Sequence, residues 1–156
     1  MSAAEITVLS GDGVQEAEGL SRLLTQVSSS AAPLTPERVR EVVRTPSTSV
    51  LVAKLDGEIV GMALLLTLTT MSGDTGYVEE VVVDQAARGQ HIGTALMRGL
   101  LELAAQKGLR FVDLTSRASR DIANNLYRSL GFKLRETNCY RHNLDSPGCG
   151  KYTARP

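Results

Sequence analysis

The sequence predicts an α/β fold in one domain, with a mixed, mostly antiparallel sheet of about six or seven strands flanked by about four helices. Three observations carry that expectation. Asp56-Gly57 stands between two β-rich apolar runs, 50–55 and 59–68, which is a strong hairpin signal. A helix-period run beginning at Ile92 is followed by a strand-like run at 110–115, and a strand–helix–strand order of this length makes a right-handed parallel crossover. The chain of 156 residues is 42% hydrophobic and 22% charged, enough for one core, and shows neither an internal repeat nor a linker.

In chain order, residues 6–9 read as a short first strand, closed by the Gly11-Asp12-Gly13 break. Val14, Ala17, Leu20, Leu23, Leu24 and Val27 recur at helical spacing and predict a helix over 14–27. A polar connector, 28–34, leads to Thr35-Pro36-Glu37. There Thr serves as N-cap, Pro needs no amide hydrogen in the first turn, and Glu meets the positive end of the dipole. Val39, Val42 and Val43 give this helix one apolar face, and Thr45-Pro46 ends it. The strands at 50–55 and 59–68 continue through a turn at 72–76 into a strand at 77–83, an antiparallel meander. Ile92, Ala95, Leu96, Gly99, Leu100 and Leu103 line one helix face, closed by Gly108. After the strand at 110–115 comes a helix near 120–130, ended by Gly131, and 133–135 and 139–142 read as closing strands. Residues 145–156 have little apolar content and are expected to form a loose tail beyond a folded domain at 1–144.

Composition narrows the function classes. Lys+Arg and Asp+Glu number 17 each, a balance that argues against a general nucleic-acid or membrane surface. Cys139 and Cys149 fit no metal-ligand spacing; they read as thiols of a reduced compartment, with a disulfide as the alternative. Residues 1–6 show no secretory signal, and the longest apolar run, 59–68, is too short to span a bilayer. A cytoplasmic protein without a metal is therefore expected.

The run Arg88-Gly89-Gln90-His91-Ile92-Gly93 stands where a buried strand hands over to an amphipathic helix. Amides of a first helical turn lack intrahelical partners and, with the dipole, make an anion site. Gly89 and Gly93 permit a sharp turn and close approach to the backbone. Arg88 can add a charge-assisted contact to phosphate, and Thr94 adds a hydroxyl. Read without its context, the same run is a strand-to-helix loop that uses glycine only to turn.

The context resembles a known family. Glu79-Glu80-Val-Val-Val-Asp84, the 88–93 run, and Ala123-Asn124-Asn125-Leu126-Tyr127-Arg128-Ser129-Leu130-Gly131-Phe132 stand in the order and spacing of the GNAT (GCN5-related N-acetyltransferase) superfamily. The resemblance covers roughly 5–143 and includes the family's Arg/Gln-x-x-Gly-x-Gly/Ala motif. It implies acetyl-CoA as acyl donor, no metal, and splayed parallel strands four and five. The gap between those strands holds the pantetheine, bonded to the backbone of Val81, Val82 and Val83; from the residues alone, that valine run is simply a strand buried on both faces. The pyrophosphate would lie on Arg88, Gly89, Gln90, His91, Ile92, Gly93 and Thr94. His91 departs from the motif, where the family has glycine. It is expected in a helical conformation, which tolerates a Cβ, with its imidazole toward solvent.

Acetyl transfer to an amine needs a proton acceptor for the ammonium, donors for the thioester oxygen, and a proton for the leaving thiolate. Tyr127 stands where the family has its general acid; a core tyrosine with its hydroxyl at the edge is the plainer alternative. Arg120, Asn124 and Tyr127 are spaced i, i+4, i+7, which points all three toward the coenzyme gap, with Asn124 expected to bond the pantetheine amides or help position the cofactor. For the base, Glu79 and Glu80 are adjacent on a strand and so face opposite sides. Glu79 resembles the active-side glutamate of polyamine-type members, while Glu80 points away or enters through a bulge. A water without a dedicated base, or two merely solvated carboxylates, are the alternatives. Thr115 stands where some N-terminal acetyltransferases place a base, and cannot serve as one.

The acceptor is a small-molecule, peptide or protein amine. Asp74, Glu79 and Glu80 could form an acidic mouth for a cation, although Asp74 also suits a turn. Arg135, Tyr140, Arg141 and His142 could instead form a rim favouring an acceptor with an acid group. Aromatic content of 4% gives no evident cage. A possible homodimer is implied by the family alone. The competing reading is a non-catalytic acyl-CoA-binding module on the same fold. A nucleotide domain is disfavoured, because the chain has neither a P-loop ending nor Gly-x-Gly-x-x-Gly after its first strand.

Overall fold

The structure, a computed structural model, describes residues 3–28 and 32–144. The tail expected at 145–156, with Cys149 and any pairing it makes, lies outside the described residues; Cys139 is an exposed free thiol.

One sheet of five strands forms, in the order β1 (Glu5–Val8), β2 (Thr48–Leu55), β3 (Glu58–Thr70), β4 (Gly73–Val83) and β5 (Val112–Asp113). The first four are antiparallel neighbours, and β5 is parallel to β4. The helices are α1 (Ala17–Val27), preceded by a 3-10 turn, α2 (Pro36–Arg44), α3 (Ile92–Gln106) and α4 (Asp121–Ser129). The mixed α/β fold is as expected, with fewer strands.

Local chemistry accounts for the element ends. Asp56 and Gly57 both have positive φ, at 50° and 85°, the geometry of a two-residue type I′ hairpin between β2 and β3. Thr35 caps α2 through a bond from the Arg38 amide to Thr35 Oγ1 at 3.2 Å, with Pro36 in the first turn. Gly108, at φ 69°, follows α3.

Alternation on β2 sorts two cores. Val50 and Val52 face α1 and α2, where they join Leu20, Leu23, Val39 and Met62. Leu51 and Ala53 face α3, where they join Leu65, Val78, Leu96, Met97 and Leu100, with Tyr127 of α4 in the same cluster. Leu96 is 0% exposed, so truncation to alanine would cost about 2–5 kcal/mol.

Three expectations are corrected. The turn before β4 is tighter than 72–76: Thr70 pairs with Gly73, and Asp74 lies in the ladder opposite Thr69. The strand expected at 110–115 keeps only Val112–Asp113 in pairing. The closing strands at 133–135 and 139–142 do not form. Each offers one or two apolar side chains and no buried face; Leu134 is 92% exposed and Tyr140 86%. Without a face to bury, backbone pairing has too little to offset its ordering cost.

Candidate active site

The end of β4 is fixed from two sides. Arg22 of α1 donates to the Ile59 carbonyl at 2.8 Å and lies 3.8 Å from the Asp84 carboxylate. The Gln85 amide donates to Gln26 Oε1 at 3.1 Å, and the Ala86 amide to Asp84 Oδ1 at 2.9 Å. The chain then turns through Arg88–His91 into α3. The first backbone bond of that helix runs from the Ala95 amide to the His91 carbonyl at 3.0 Å. Among the described residues, none of the amides from Gly89 to Thr94 has a hydrogen-bond partner. This is a row of free donors at the positive end of a fifteen-residue helix.

The two glycines of this turn differ. Gly89 has φ 79° and open space around its missing Cβ, so its need is conformational. Gly93 has no positive φ, and a Cβ there would sit in ordinary contact, 3.4 Å from Leu126 and 3.7 Å from Val83, so only a side chain larger than alanine would reach into the cleft. His91 corrects the expectation of a helical conformation. It caps α3 at φ 59°, ψ 19°, in the left-handed region, where a Cβ costs about 1–2 kcal/mol. Its side chain makes no capping bond and is exposed, as expected of a solvent-facing imidazole.

A cleft of about 780 Å³ opens beside these amides. Its walls are Val81, Val82 and Val83 of β4, the turn residues Arg88, Gly89, His91, Ile92, Gly93 and Thr94, and α4 with the residues before it. Tyr127 also lines it. Gln90 is exposed and does not line it. Sequence reasoning missed Gln26 and Val27 at the end of α1, and Ser119, Ile122 and Leu126 around α4. Val27 is 66% exposed and Ile122 90%, unusual values for such side chains. No motif marks them, because α1 reaches the site through contacts distant in sequence, Gln26 with Gln85 across 59 positions and Arg22 with Asp84.

β4 carries a bulge. Met62 pairs with Val82 but Leu64 with Glu79, so three steps on β4 oppose two on β3. Glu80 takes up the extra residue in the left-handed region, at φ 51°. Val78 and Val81 consequently both pack on the α3 side, while Val82 packs on the α1–α2 side. Strict alternation between Glu79 and Glu80 is thereby broken: the two are adjacent exposed residues between two valines that share a face. Shielding from solvent raises the Glu80 pKa, the neighbouring Glu79 charge raises it further, and Arg38 opposes the change. Asp74 is not part of this acidic pair. It lies five residues back, about 17 Å along the strand, with an odd offset that places it on the other face.

Past Tyr77 and Asp113, β4 and β5 no longer pair, and the strands part. The Tyr77 hydroxyl reaches across to Thr115 Oγ1 at 3.2 Å at the head of this gap. Tyr127, 7% exposed, stands edge-on to Phe132 with ring centroids 5.9 Å apart. Burial pushes its phenol pKa up, with Arg120 acting in the opposite sense, so the group is protonated at neutral pH. Its hydroxyl has no hydrogen-bond partner among the described residues.

Asn124 Nδ2 donates to the carbonyls of Arg117 (2.9 Å) and Ala118 (3.4 Å), and Asn124 lines, with Tyr127, a second cleft of about 650 Å³ beside β5. Arg120 is the N-cap of α4 rather than part of it, which breaks the expected i, i+4, i+7 alignment; only Arg120 and Tyr127 border the first cleft. Arg135 lines the second cleft, and Tyr140, Arg141 and His142 line neither, so no cationic rim assembles at the bulge. Among the described residues there is no group of three His, Cys, Asp or Glu side chains placed to hold a metal, and no helix long and apolar enough to cross a membrane.

Comparison with known proteins agrees with this geometry. The profile of the acetyltransferase (GNAT) family matches residues 19–132. A Bacillus subtilis (strain 168) protein assigned as a ribosomal protein bS18-alanine N-acetyltransferase is 27% identical over 109 residues, 69% of this chain and 70% of that one. A glucosamine 6-phosphate N-acetyltransferase of Trypanosoma brucei brucei is 36% identical over 83 residues, 51% of this chain and 54% of that one. The solved structure of a Trypanosoma brucei acetyltransferase is 28% identical with a TM-score of 0.76, covering 90% of this chain and 99% of that chain. An aminoglycoside acetyltransferase from an uncultured soil metagenomic sample, 21% identical, shares the fold at a TM-score of 0.81 over 90% of this chain and 95% of that one.

Proposed function

The chain belongs to the acetyltransferase (GNAT) family, and we propose that it is an acetyl-CoA-dependent N-acetyltransferase whose acceptor amine attacks the thioester directly in a ternary complex. The observation that carries this reading is a single cleft lined both by the turn whose backbone donors are free, from Gly89 to Thr94, and by an unpartnered, protonated phenol, Tyr127. The fit to the coenzyme is chemical. A row of unbonded amides at a helix N-terminus, beside Arg88, suits a pyrophosphate, and the space left by Gly93 allows a ligand close to the backbone.

When bound, acetyl-CoA supplies an activated acetyl thioester. The backbone of Val81, Val82 and Val83 offers strand-like bonds to an amide-bearing arm, since the outer edge of β4 is unpaired beyond Tyr77. In this reading the bulge amides near Glu80 would donate to a carbonyl oxygen as charge builds there. Glu80 is the preferred proton acceptor for the attacking ammonium, because its raised pKa makes it the stronger base, with Glu79 beside it holding the cation. Tyr127 donates its phenolic proton to the departing sulfur. The B. subtilis and T. brucei relatives are both named as N-acetyltransferases, which supports an amine acceptor.

Free-thiol release from acetyl-CoA across a panel of amines, polyamines and peptides tests the reading. We expect turnover with at least one amine, and a fall in kcat of about 10²-fold for Tyr127→Phe with little change in cofactor affinity. Tight acetyl-CoA binding without thiol release on any amine would establish a binding module instead.

A further inference from the structure

We infer that the acceptor is a primary amine carried on a short apolar body without a phosphate, and that it lies on the sheet strip formed by Leu66, Leu68 and Tyr77 next to Glu79. This deepens the acetyltransferase reading and rests on it.

Register fixes the strip. Directly paired residues share a face, and the pairings Val50–Leu64–Glu79 and Thr48–Leu66–Tyr77 run across three strands. Val50 and Leu64 belong to the core under α1 and α2, so Glu79 and Tyr77 lie on that same face. The coenzyme cleft is instead built with α3 and α4. An amine must therefore reach the gap between β4 and β5 from the α1–α2 face, past Tyr77 and Glu79.

Cover by the helices stops short of this approach. Val50 is 4% exposed, but Leu66 is only half-buried and Leu68 is 45% exposed. Leu66 is the diagonal neighbour of Glu79, about 7–8 Å away, and Leu68 stands in the same relation to Tyr77. An ammonium held at Glu79 and Glu80 thus has an apolar surface beside it, the length of several methylene groups, ending on exposed leucine.

Charge selects against an anionic acceptor. The strip's head carries two carboxylates. Arg38, the guanidinium that faces Glu80, is already paired with Glu41 at 2.7 Å, and Arg110 near the far end donates to the Ser72 carbonyl at 2.7 Å. A phosphate would meet the two carboxylates at the strip's head, whereas an alkylammonium meets acids and leucines.

The test is a homologous series, ethylamine through hexylamine, against glucosamine 6-phosphate, read as kcat/KM for thiol release. We expect kcat/KM to rise about two- to fourfold per methylene, and hexylamine to exceed the sugar phosphate by at least tenfold. Leu68→Ser and Leu66→Asn should flatten that rise, with thermal melts reporting that each variant is folded. A flat or falling series in the wild type, or a preference for the sugar phosphate, overturns the inference while leaving the acetyltransferase reading intact. Thiol release from no amine at all overturns both.

Discussion

The two halves of the candidate site are made of different material. The cradle is one contiguous stretch, 88–94, and its donors are backbone amides. The acceptor mouth is assembled from side chains of β3, β4 and the segment after β5, brought together by register, a bulge and a strand splay. A backbone site tolerates changes of side chain but not added bulk. A side-chain site has the opposite sensitivity.

The largest effect should come from adding atoms to the cradle. Gly93→Leu would place side-chain carbons beyond the 3.4 Å contact with Leu126 and into the cleft. We expect acetyl-CoA affinity, measured by calorimetry, to fall about 100-fold, equal to ~2.7 kcal/mol. Retained affinity would mean that the coenzyme does not approach this turn.

Next comes an isosteric change at the mouth. Glu80→Gln removes the proposed base without altering its volume, and kcat/KM at neutral pH should drop at least about tenfold with cofactor affinity preserved. In the wild type the acid limb of kcat/KM should lie above the ordinary glutamate range, because the pKa of Glu80 is raised. The stability sign is also fixed. With a folded pKa above the unfolded one, the native state binds more protons in between, so stability falls as pH rises from the unfolded pKa through the folded one. The variant should lack that decline, as a melting series from acid to neutral pH would reveal.

The smallest effect is the removal of a cradle side chain. His91→Gly relieves a left-handed Cβ at some entropic cost and should stabilise the fold by about 0.5–1 kcal/mol, with acetyl-CoA affinity changed less than about twofold. A large loss of affinity would show that the imidazole itself contacts the phosphates, and would break the distinction between the halves.

The same distinction explains what could be read from the chain. The cradle was legible because its residues adjoin in sequence and its glycines have a direct backbone meaning. Even there, the conformation of His91 was misjudged, since a left-handed non-glycine is set by the geometry of the turn around it. The bulge at Glu80 carries no glycine, so period-2 reasoning alone puts Glu79 and Glu80 on opposite faces, and only the family resemblance allows Glu80 to enter through a bulge. Asn124 has the right helical spacing for a cofactor contact, but the Arg117 and Ala118 carbonyls that claim its amide belong to a loop whose path spacing does not encode. Strand-like letters at 133–135 and 139–142 lacked a face to bury. Leu66 and Leu68 looked like ordinary strand residues; only the limited reach of α1 and α2 exposes them.

β5 pairs with β4 through just two residues, Val112 and Asp113, at the rim of the sheet. Such an edge opens at a small fraction of the free energy needed to unfold the whole domain. Amide hydrogen exchange should therefore be fast along 110–116 and slow in β2 and β3. A ligand wedged between the parted strands, touching both, would bind only the closed arrangement and draw this edge into the cooperative unit. Slowed exchange at 110–116 would then report occupancy of the gap directly, without any turnover.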